Sequence, residues 1–408
     1  MKRSLISLTA LLLASAAHAE APHYEVAAKF APDGALTADV TVTLTEAVPE
    51  KAFLLSKRFT LEPMQLPRGV TMKSEPSASP MPDLVKYSFT FDRPSAQPRK
   101  LRFRYAGPIV TANDSGNPPL RPEGYELFID HMWFPVGADI QTRFTVDATI
   151  DGLAPDLVVV AQGDVTRTPT GARIRRNFVD IDLPMVAMRG LKRADAHGVE
   201  FYARDLDTRL SGFYVKHAES AARYFEAMFG PLPRKVRIAQ VWRPKSLGYA
   251  RTAYTVVSEG GRSGPDVAEI NPAAYVAHEI SHAWWMLASP LTDDFWLVES
   301  TASYMAQRYR EAAFGVAEAE KALAELRKAA ATAGAVMGHG RPNRVQLYAK
   351  GPVLLVDLER RIGRPAMDRL MVTMAREPVH TTAIFLKHLT AIGGADASRA
   401  FEAALHAA

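Results

Sequence analysis

The spacing of hydrophobic residues differs between the first and the second half of the chain. Between residues 20 and about 190, apolar and polar residues alternate in short runs, as in 36–44, 101–105 and 144–150. A period of two indicates strands with one buried face, and the stretches rich in Pro, Gly and Ser between them indicate turns. From about residue 200 a helical period takes over, with short strands expected at 236–241 and 254–257. Helices are expected at 213–229, 272–287, 296–313, 316–333, 348–362, 364–377, 380–391 and 396–406. The pattern predicts an α+β protein, an N-terminal antiparallel β-sheet domain followed by a mainly helical one.

The first residues have the pattern of a cleavable leader. Lys2 and Arg3 precede an apolar run from Leu5 to Ala16, and the small residues of Ala17-His18-Ala19 follow. This arrangement is typical of a signal peptide cut after Ala19, and the apolar run is too short to span a bilayer comfortably. We therefore expect a signal peptide over 1–19, a β domain over 20–195 and a second domain over 196–408. An uncleaved anchor is the alternative. The expected location is the periplasm or the extracellular medium, without stable membrane insertion after cleavage.

The charge and the cysteine content limit the possible partners and the sources of stability. The formal net charge is +5 and falls to +3 without the leader, with both signs interspersed, which does not favour a nucleic-acid partner. The chain contains no cysteine, so an exported form has no disulfides and depends on its core and on any bound metal.

Residues 278–282 read H-E-I-S-H within an expected helix. Residues four apart share a helix face, so His278 and His282 can point at one metal ion, and Glu279 between them can act as a general base. A catalytic zinc takes three protein ligands and keeps one open position. Glu299 is the candidate third ligand, because it lies in the apolar stretch Trp296-Leu297-Val298-Glu299 at the start of the next helix. Zinc suits a His₂Glu site better than other metals do, and one Zn²⁺ per chain is expected.

The motif H-E-x-x-H-x-W followed by W-L-x-E resembles that of the aminopeptidase-N family of zinc metallopeptidases. The gap between His282 and Glu299 is two residues shorter than is usual in that family. Residues 348–351, Y-A-K-G, are similar to the family's Y-x-K-G stretch. The resemblance implies a thermolysin-like catalytic domain and a peptide or protein substrate. It also implies that Tyr348 stabilises the tetrahedral intermediate while Glu279 takes a proton from a zinc-activated water. Members often carry a further helical domain, and the chain resembles a short form without it, so a more open cleft is expected.

One stretch departs from the family pattern. Aminopeptidases of this family carry G-x-M-E-N along the substrate, where the Glu binds the free α-amine. The nearest counterpart is Gly248-Tyr249-Ala250-Arg251-Thr252, so we expect substrate binding by residues 248–251, with Arg251 in place of the Glu. A guanidinium repels an ammonium and suits a carboxylate. The hypothesis is an enzyme that cleaves internally or prefers an acidic group near the scissile bond. In the alternative alignment Arg251 is a solvated loop residue and Glu259 supplies the amine anchor.

Three further questions stay open at this point. His131 is a candidate substrate contact, since it lies where family members bring the β domain to the cleft. Exopeptidase and endopeptidase activity are both compatible with the motifs. A non-catalytic periplasmic binding or scaffold protein that keeps a structural zinc site is the competing function, although such a protein has no need of Glu279 or Tyr348.

Overall fold

A computed structural model describes residues 21–77, 83–93, 97–110, 117–243, 248–259, 268–285 and 287–408. The expected signal peptide lies outside these residues. No helix in the described ranges is long and apolar enough to cross a membrane. Strands dominate the first half and helices the second, which confirms the predicted fold class.

Strands fill the chain up to the first long helix. In the described ranges they are β1 (His23–Phe30), β2 (Ala35–Leu44), β3 (Glu50–Ser56), β4 (Thr60–Leu61), β5 (Val70–Pro76), β6 (Leu84–Phe91), β7 (Arg99–Pro108), β8 (Leu120–Arg121), β9 (Gly124–Leu127), β10 (Val136–Gly137), β11 (Phe144–Asp151), β12 (Leu157–Ala161), β13 (Asp164–Thr168), β14 (Gly171–Asp180), β15 (Met185–Arg189), β16 (Lys192–Ala196) and β17 (Val199–Ala203).

Three sheets build the β domain, in the orders β13-β14-β11-β1-β2-β7-β4, β10-β3-β6-β5 and β12-β15-β9-β8. Neighbouring strands run antiparallel except β1 and β11, which are parallel. These two strands lie far apart in sequence, so no hairpin fixes their direction. Alternate residues of β2 are buried, as its period of two predicts. Phe53 and Phe89 pack edge-to-face on Phe103 of the larger sheet, with centroids 5.4 and 5.7 Å away, and so join two sheets in one core.

A five-stranded sheet introduces the helical half. It adds β18 (Val236–Val241), β19 (Gly248–Arg251) and β20 (Tyr254–Ser258) to two earlier strands, in the order β16-β17-β18-β20-β19. The strand β19 pairs antiparallel with β20 and forms an edge of the sheet among the described residues. The expected boundary between residues 195 and 196 falls in β16, and the division into domains stays a prediction.

Eight helices follow in the described ranges: α1 (Arg209–Phe229), α2 (Ile270–Ser281), α3 (Trp296–Phe314), α4 (Val316–Ala330), α5 (Gly351–Ile362), α6 (Arg364–Arg376), α7 (Thr382–Gly393) and α8 (Ala395–His406). A π-helical turn, Gln346–Lys350, leads into α5. The prediction that α2 continues to residue 287 is wrong, because the chain turns after Ser281. Trp285 then packs edge-to-face on Phe229 of α1, so tertiary packing rather than helical period determines its place.

Candidate metal centre and active-site cleft

The helix α2 places the two histidines of the H-E-x-x-H motif together. Its apolar residues Val276, Ala277 and Ile280 are fully buried, which fixes the helix in the core. His282 directly follows the last helical residue but keeps helical backbone angles, φ −60° and ψ −10°. The spacing of four therefore holds, and the two Nε2 atoms lie 3.2 Å apart.

Glu299 reaches the same point from the first turn of α3. Trp296 anchors this helix start: the ring is fully buried and its Nε1 donates to Thr382 Oγ1 at 2.9 Å. Glu299 Oε2 lies 3.3 Å from His278 Nε2 and 3.9 Å from His282 Nε2. The two-residue-shorter connection thus still brings the carboxylate to both imidazoles.

The three donor atoms fit a zinc ion. Donors on a tetrahedral zinc with bonds of about 2.0–2.1 Å are about 3.3 Å apart, close to the observed 3.2, 3.3 and 3.9 Å. Burial opposes ionisation of Glu299, but its hydrogen bond with His278 and the two imidazoles lower its pKa to about 2. Burial lowers the pKa of His282 to about 4, which favours the neutral imidazole that a metal requires.

Glu279 lies next to the three donors and is the alternative candidate for the third metal ligand. Its carboxylate and the two imidazoles offer ligand atoms within 4.8 Å of one another, so it could in principle replace Glu299 as a ligand. Glu299 Oε2 lies within 3.9 Å of both Nε2 atoms, so Glu299 can complete the donor set and leave Glu279 uncoordinated. Burial raises the pKa of the Glu279 carboxyl to about 7, so the group can exchange a proton near neutral pH.

Ser303 is a site residue that the sequence analysis missed. Its hydroxyl lies 3.2 Å from His278 Nδ1, the ring nitrogen that faces away from the other donors. A partner on that nitrogen fixes the ring orientation and leaves Nε2 as the metal-binding atom. The signal was present, because Ser303 follows Glu299 by four residues and shares its helix face.

Tyr348 belongs to the π-helical turn before α5. Its ring centroid lies 5.8 Å from that of His278, and its hydroxyl interacts with Glu299. Lys350 of the same motif does not reach the metal donors. Its Nζ donates to the carbonyls of Ala333, Gly334 and Ala407 at 2.7–3.1 Å and so ties this turn to the rest of the domain.

Residues 248–251 line the cleft as strand β19. Arg251 is not a solvated loop residue, because its Nε donates to the fully buried Asp182 Oδ2 at 2.7 Å. Glu259 forms a two-point ion pair with Arg204 at 2.8 and 2.6 Å and is absent from the described cleft lining. The structure thus places Arg251, and not Glu259, at the cleft.

The β domain contributes a different residue from the one expected. His131 Nε2 lies 3.0 Å from the carbonyl of Asn117, and its Nδ1 accepts from the Phe128 amide at 3.3 Å, so both ring nitrogens serve the local turn. The neighbouring Asp130 is exposed and lines the cleft instead. No pattern marks it in the sequence, since about 150 residues separate it from the metal motif. The whole cleft has a volume of about 1240 Å³.

Comparison with known proteins agrees with this arrangement at the level of the fold. No family model matches the chain, and neither does any curated protein. Among solved structures, native yeast LTA4 hydrolase is similar with a TM-score of 0.73 and 16% identity, over 94% of this chain and 67% of that one. An M1 zinc metallopeptidase from Deinococcus radiodurans is similar with a TM-score of 0.68 and 16% identity, over 95% and 93%. A mutant of the Deinococcus enzyme was solved with a Tyr-Ser-Ala substrate, and its TM-score is 0.67 at 17% identity, over 94% and 93%. The chain therefore has the fold of the M1 zinc metallopeptidases, as the resemblance to the aminopeptidase-N family predicted.

Proposed function

We propose that the protein is an exported zinc metallopeptidase that hydrolyses peptide bonds, with an aminopeptidase-like active site. The observation that carries the proposal is the convergence of His278, His282 and Glu299, whose donor atoms are separated by distances that suit a tetrahedral zinc ion. The carboxylate of Glu279 lies beside them in a large cleft. The M1 zinc metallopeptidases that share the fold support it, and export rests on the leader pattern of residues 1–19.

His278, His282 and Glu299 would hold the zinc ion. When bound, zinc supplies Lewis acidity that polarises the scissile carbonyl and makes a water acidic enough to ionise near neutral pH. Ser303 keeps the His278 ring in the orientation that presents Nε2. His278 lies in α2 and His282 directly follows it, whereas Glu299 and Ser303 lie in α3. Two packed helices therefore preorganise the metal centre.

Glu279 serves as the general base. Its carboxylate takes the proton of the attacking water and then donates it to the nitrogen of the leaving amine. A pKa raised by burial makes Glu279 a stronger base than an ordinary carboxylate.

Tyr348 serves as the hydrogen-bond donor to the oxyanion that forms on the scissile carbonyl. Burial and the neighbouring Glu299 carboxylate raise the pKa of the phenol, so it keeps its proton and can donate. Tyr348 is about one-third exposed and lines the cleft, so a substrate bound there can contact this residue.

The strand β19 offers a backbone surface for the substrate. It pairs with β20 on one side and has no strand partner on the other among the described residues. An extended peptide can add to such an edge through main-chain hydrogen bonds. This edge supports peptides as the substrate class, because the recognition uses groups that every peptide carries.

The pairing of Arg251 with Asp182 changes what can be expected of the substrate's amino terminus. The guanidinium charge is offset by a buried carboxylate, so it repels an ammonium less than the sequence suggested. Asp130 lines the same cleft and is exposed; it interacts electrostatically with Arg251 but forms no ion pair within 4.0 Å among the described residues. Asp130 is therefore the proposed contact for a free α-amine, and an aminopeptidase remains compatible with Arg251.

The test compares wild-type protein with Glu279→Gln, both loaded with one equivalent of zinc, on a mixed peptide library analysed by mass spectrometry. Cleavage by the wild type, absent in Glu279→Gln at equal zinc content, supports the peptidase. Equal product profiles for both proteins would contradict it and favour the scaffold alternative. Aminoacyl anilides compared with N-blocked peptides then separate the two modes of cleavage, and Asp130→Asn should weaken only turnover of the free amines.

A further inference from the structure

We propose that Arg341 and Arg344 form a carboxylate-binding subsite beside the metal centre, which selects peptides that carry an anionic group near the scissile bond. The inference rests on the proposed peptidase function and adds the substrate class. Both arginines belong to the segment between α4 and the π-helical turn, and both line the cleft.

The Arg344 guanidinium is separated from the metal donors by one aromatic ring, and the Arg341 guanidinium stacks on a ring at the start of α3. The Arg344 guanidinium carbon is 5.3 Å from the centroid of the Tyr348 ring, which itself is 5.8 Å from the ring of His278. The Arg341 guanidinium carbon is 5.3 Å from the centroid of Phe295, directly before the helix that carries Glu299. A substrate bound at the metal centre would therefore meet these cations.

The segment that carries them is held in place by hydrogen bonds. The Gly338 amide donates to Asp293 Oδ2 at 2.7 Å, which ties the segment to the start of α3. Asn343 Oδ1 accepts from the amides of Val345 and Gln346 at 2.9 and 3.1 Å, and Gln346 Nε2 donates to the Ala335 carbonyl at 2.6 Å. The backbone on which the arginines stand is thus preorganised, which reduces the entropy lost when a ligand binds.

Neither arginine has a carboxylate partner among the described residues. This contrasts with Arg251, which pairs with Asp182, and with Arg364, which pairs with Glu359. Both Arg341 and Arg344 are exposed, and each stacks on an aromatic ring. A stacked guanidinium keeps its N–H edge available, and that edge fits a carboxylate with two hydrogen bonds.

The protein's own carboxylates near the metal centre do not fill this role. Four carboxylates line the described cleft: Glu299 is the proposed metal ligand, Glu279 is the proposed base, Asp180 accepts from Gln162 Nε2 and the Thr252 amide, and Asp130 forms no ion pair with either arginine. An anionic group of the substrate can therefore occupy the position beside the two arginines. An Asp or Glu side chain and the terminal carboxylate of a short peptide carry the same chemistry. Two pairs of substrates distinguish these sources: an amidated peptide with Asp against the same peptide with Asn, and a tripeptide with a free carboxyl terminus against its amide.

The experiment measures kcat/KM for each substrate pair with zinc-loaded wild-type protein and with Arg341→Gln/Arg344→Gln. Calorimetry measures the dissociation constants of the same peptides with the Glu279→Gln protein, with and without the two arginine substitutions. We expect at least one carboxylate substrate to be preferred by about two- to thirtyfold, the range for two exposed guanidinium–carboxylate pairs. The double variant should reduce that ratio to about one. Arg376→Gln is the matched control, since Arg376 is exposed on α6 outside the cleft lining, and it should keep the wild-type ratio.

Two results would overturn the subsite: ratios of about one for both pairs with wild-type arginines, or a preference that survives in the double variant. Calorimetry separates this failure from failure of the peptidase proposal. A binding preference that needs the arginines, without any cleavage, would support the subsite and contradict the proposed activity.

Discussion

Substituting Gly351 by alanine should damage both stability and activity, although the change adds only one methyl group. Gly351 begins α5, three residues after Tyr348, and packs against Ser300 of α3. A Cβ at this position would lie 2.0 Å from Ser300 Oγ and 2.5 Å from Ser300 Cβ, where ordinary contacts measure 3.4–4 Å. The second atom is no flexible chain end, so α5 or α3 has to move by about 1 Å.

The expected cost follows from three contributions. Overpacking of a buried contact costs about 1–3 kcal/mol. Ser300 Oγ donates to the Leu347 carbonyl at 2.8 Å, and loss of this buried hydrogen bond costs about 1 kcal/mol. Alanine recovers about 1 kcal/mol of helix propensity. The net loss is about 1–3 kcal/mol, and because Ser300 follows Glu299, a misplacement of about 1 Å should lower kcat/KM by about a hundredfold.

The assay is urea unfolding at fixed free zinc, together with kcat/KM on the best peptide from the library. Gly212→Ala is the control, because Gly212 also lies in a helix and a Cβ there meets nothing within 4 Å. That variant should gain about 0.5–1 kcal/mol. A Gly351→Ala protein as stable and as active as wild type would refute the packing argument.

Three other perturbations test separate parts of the site. Ser303→Ala should weaken zinc affinity by about 10–100-fold, as measured by competition with a chelator, and unchanged affinity would contradict the role of Ser303. Tyr348→Phe should lower kcat by about a hundredfold with little change in KM, and an unaffected kcat would assign the oxyanion to another donor. Burial opposes protonation of His278, but its hydrogen bond with Glu299 and the nearby carboxylates raise its pKa. Protons therefore compete with zinc, and affinity should fall as the pH falls through the range above the ordinary pKa of histidine; a pH-independent affinity between 5 and about 8 would contradict this.

The metal donors could be found from sequence because their chemistry follows from local spacing. A spacing of four positions on a helix brings His278 and His282 to the same face in any surroundings. Glu299 is recognisable because it is a carboxylate within an apolar stretch. The fold class was predictable for a similar reason, since periods of two and of about 3.6 residues report which face is buried.

The remaining site residues depend on contacts between distant parts of the chain. Asp130 comes from the β domain, and the pairing of Arg251 with Asp182 joins residues that are 69 positions apart. No local sequence pattern marks Asp130 or the pairing of Arg251 with Asp182. From the sequence, the charge of Arg251 was therefore expected to be uncompensated. No sequence pattern distinguishes Arg341 and Arg344 from other solvated arginines in a polar loop. Their position becomes informative only when the structure places them on the rings of Phe295 and Tyr348 in the cleft.

Diffraction at the zinc absorption edge from crystals of the chain loaded with one equivalent of zinc tests the central claim most directly. We expect a single anomalous peak about 2.0–2.2 Å from the Nε2 atoms of His278 and His282 and from a carboxylate oxygen of Glu299, with Glu279 outside the coordination shell. A peak coordinated by Glu279 in place of Glu299, or a peak away from the two histidines, would contradict both the metal centre and the role of Glu279 as the base.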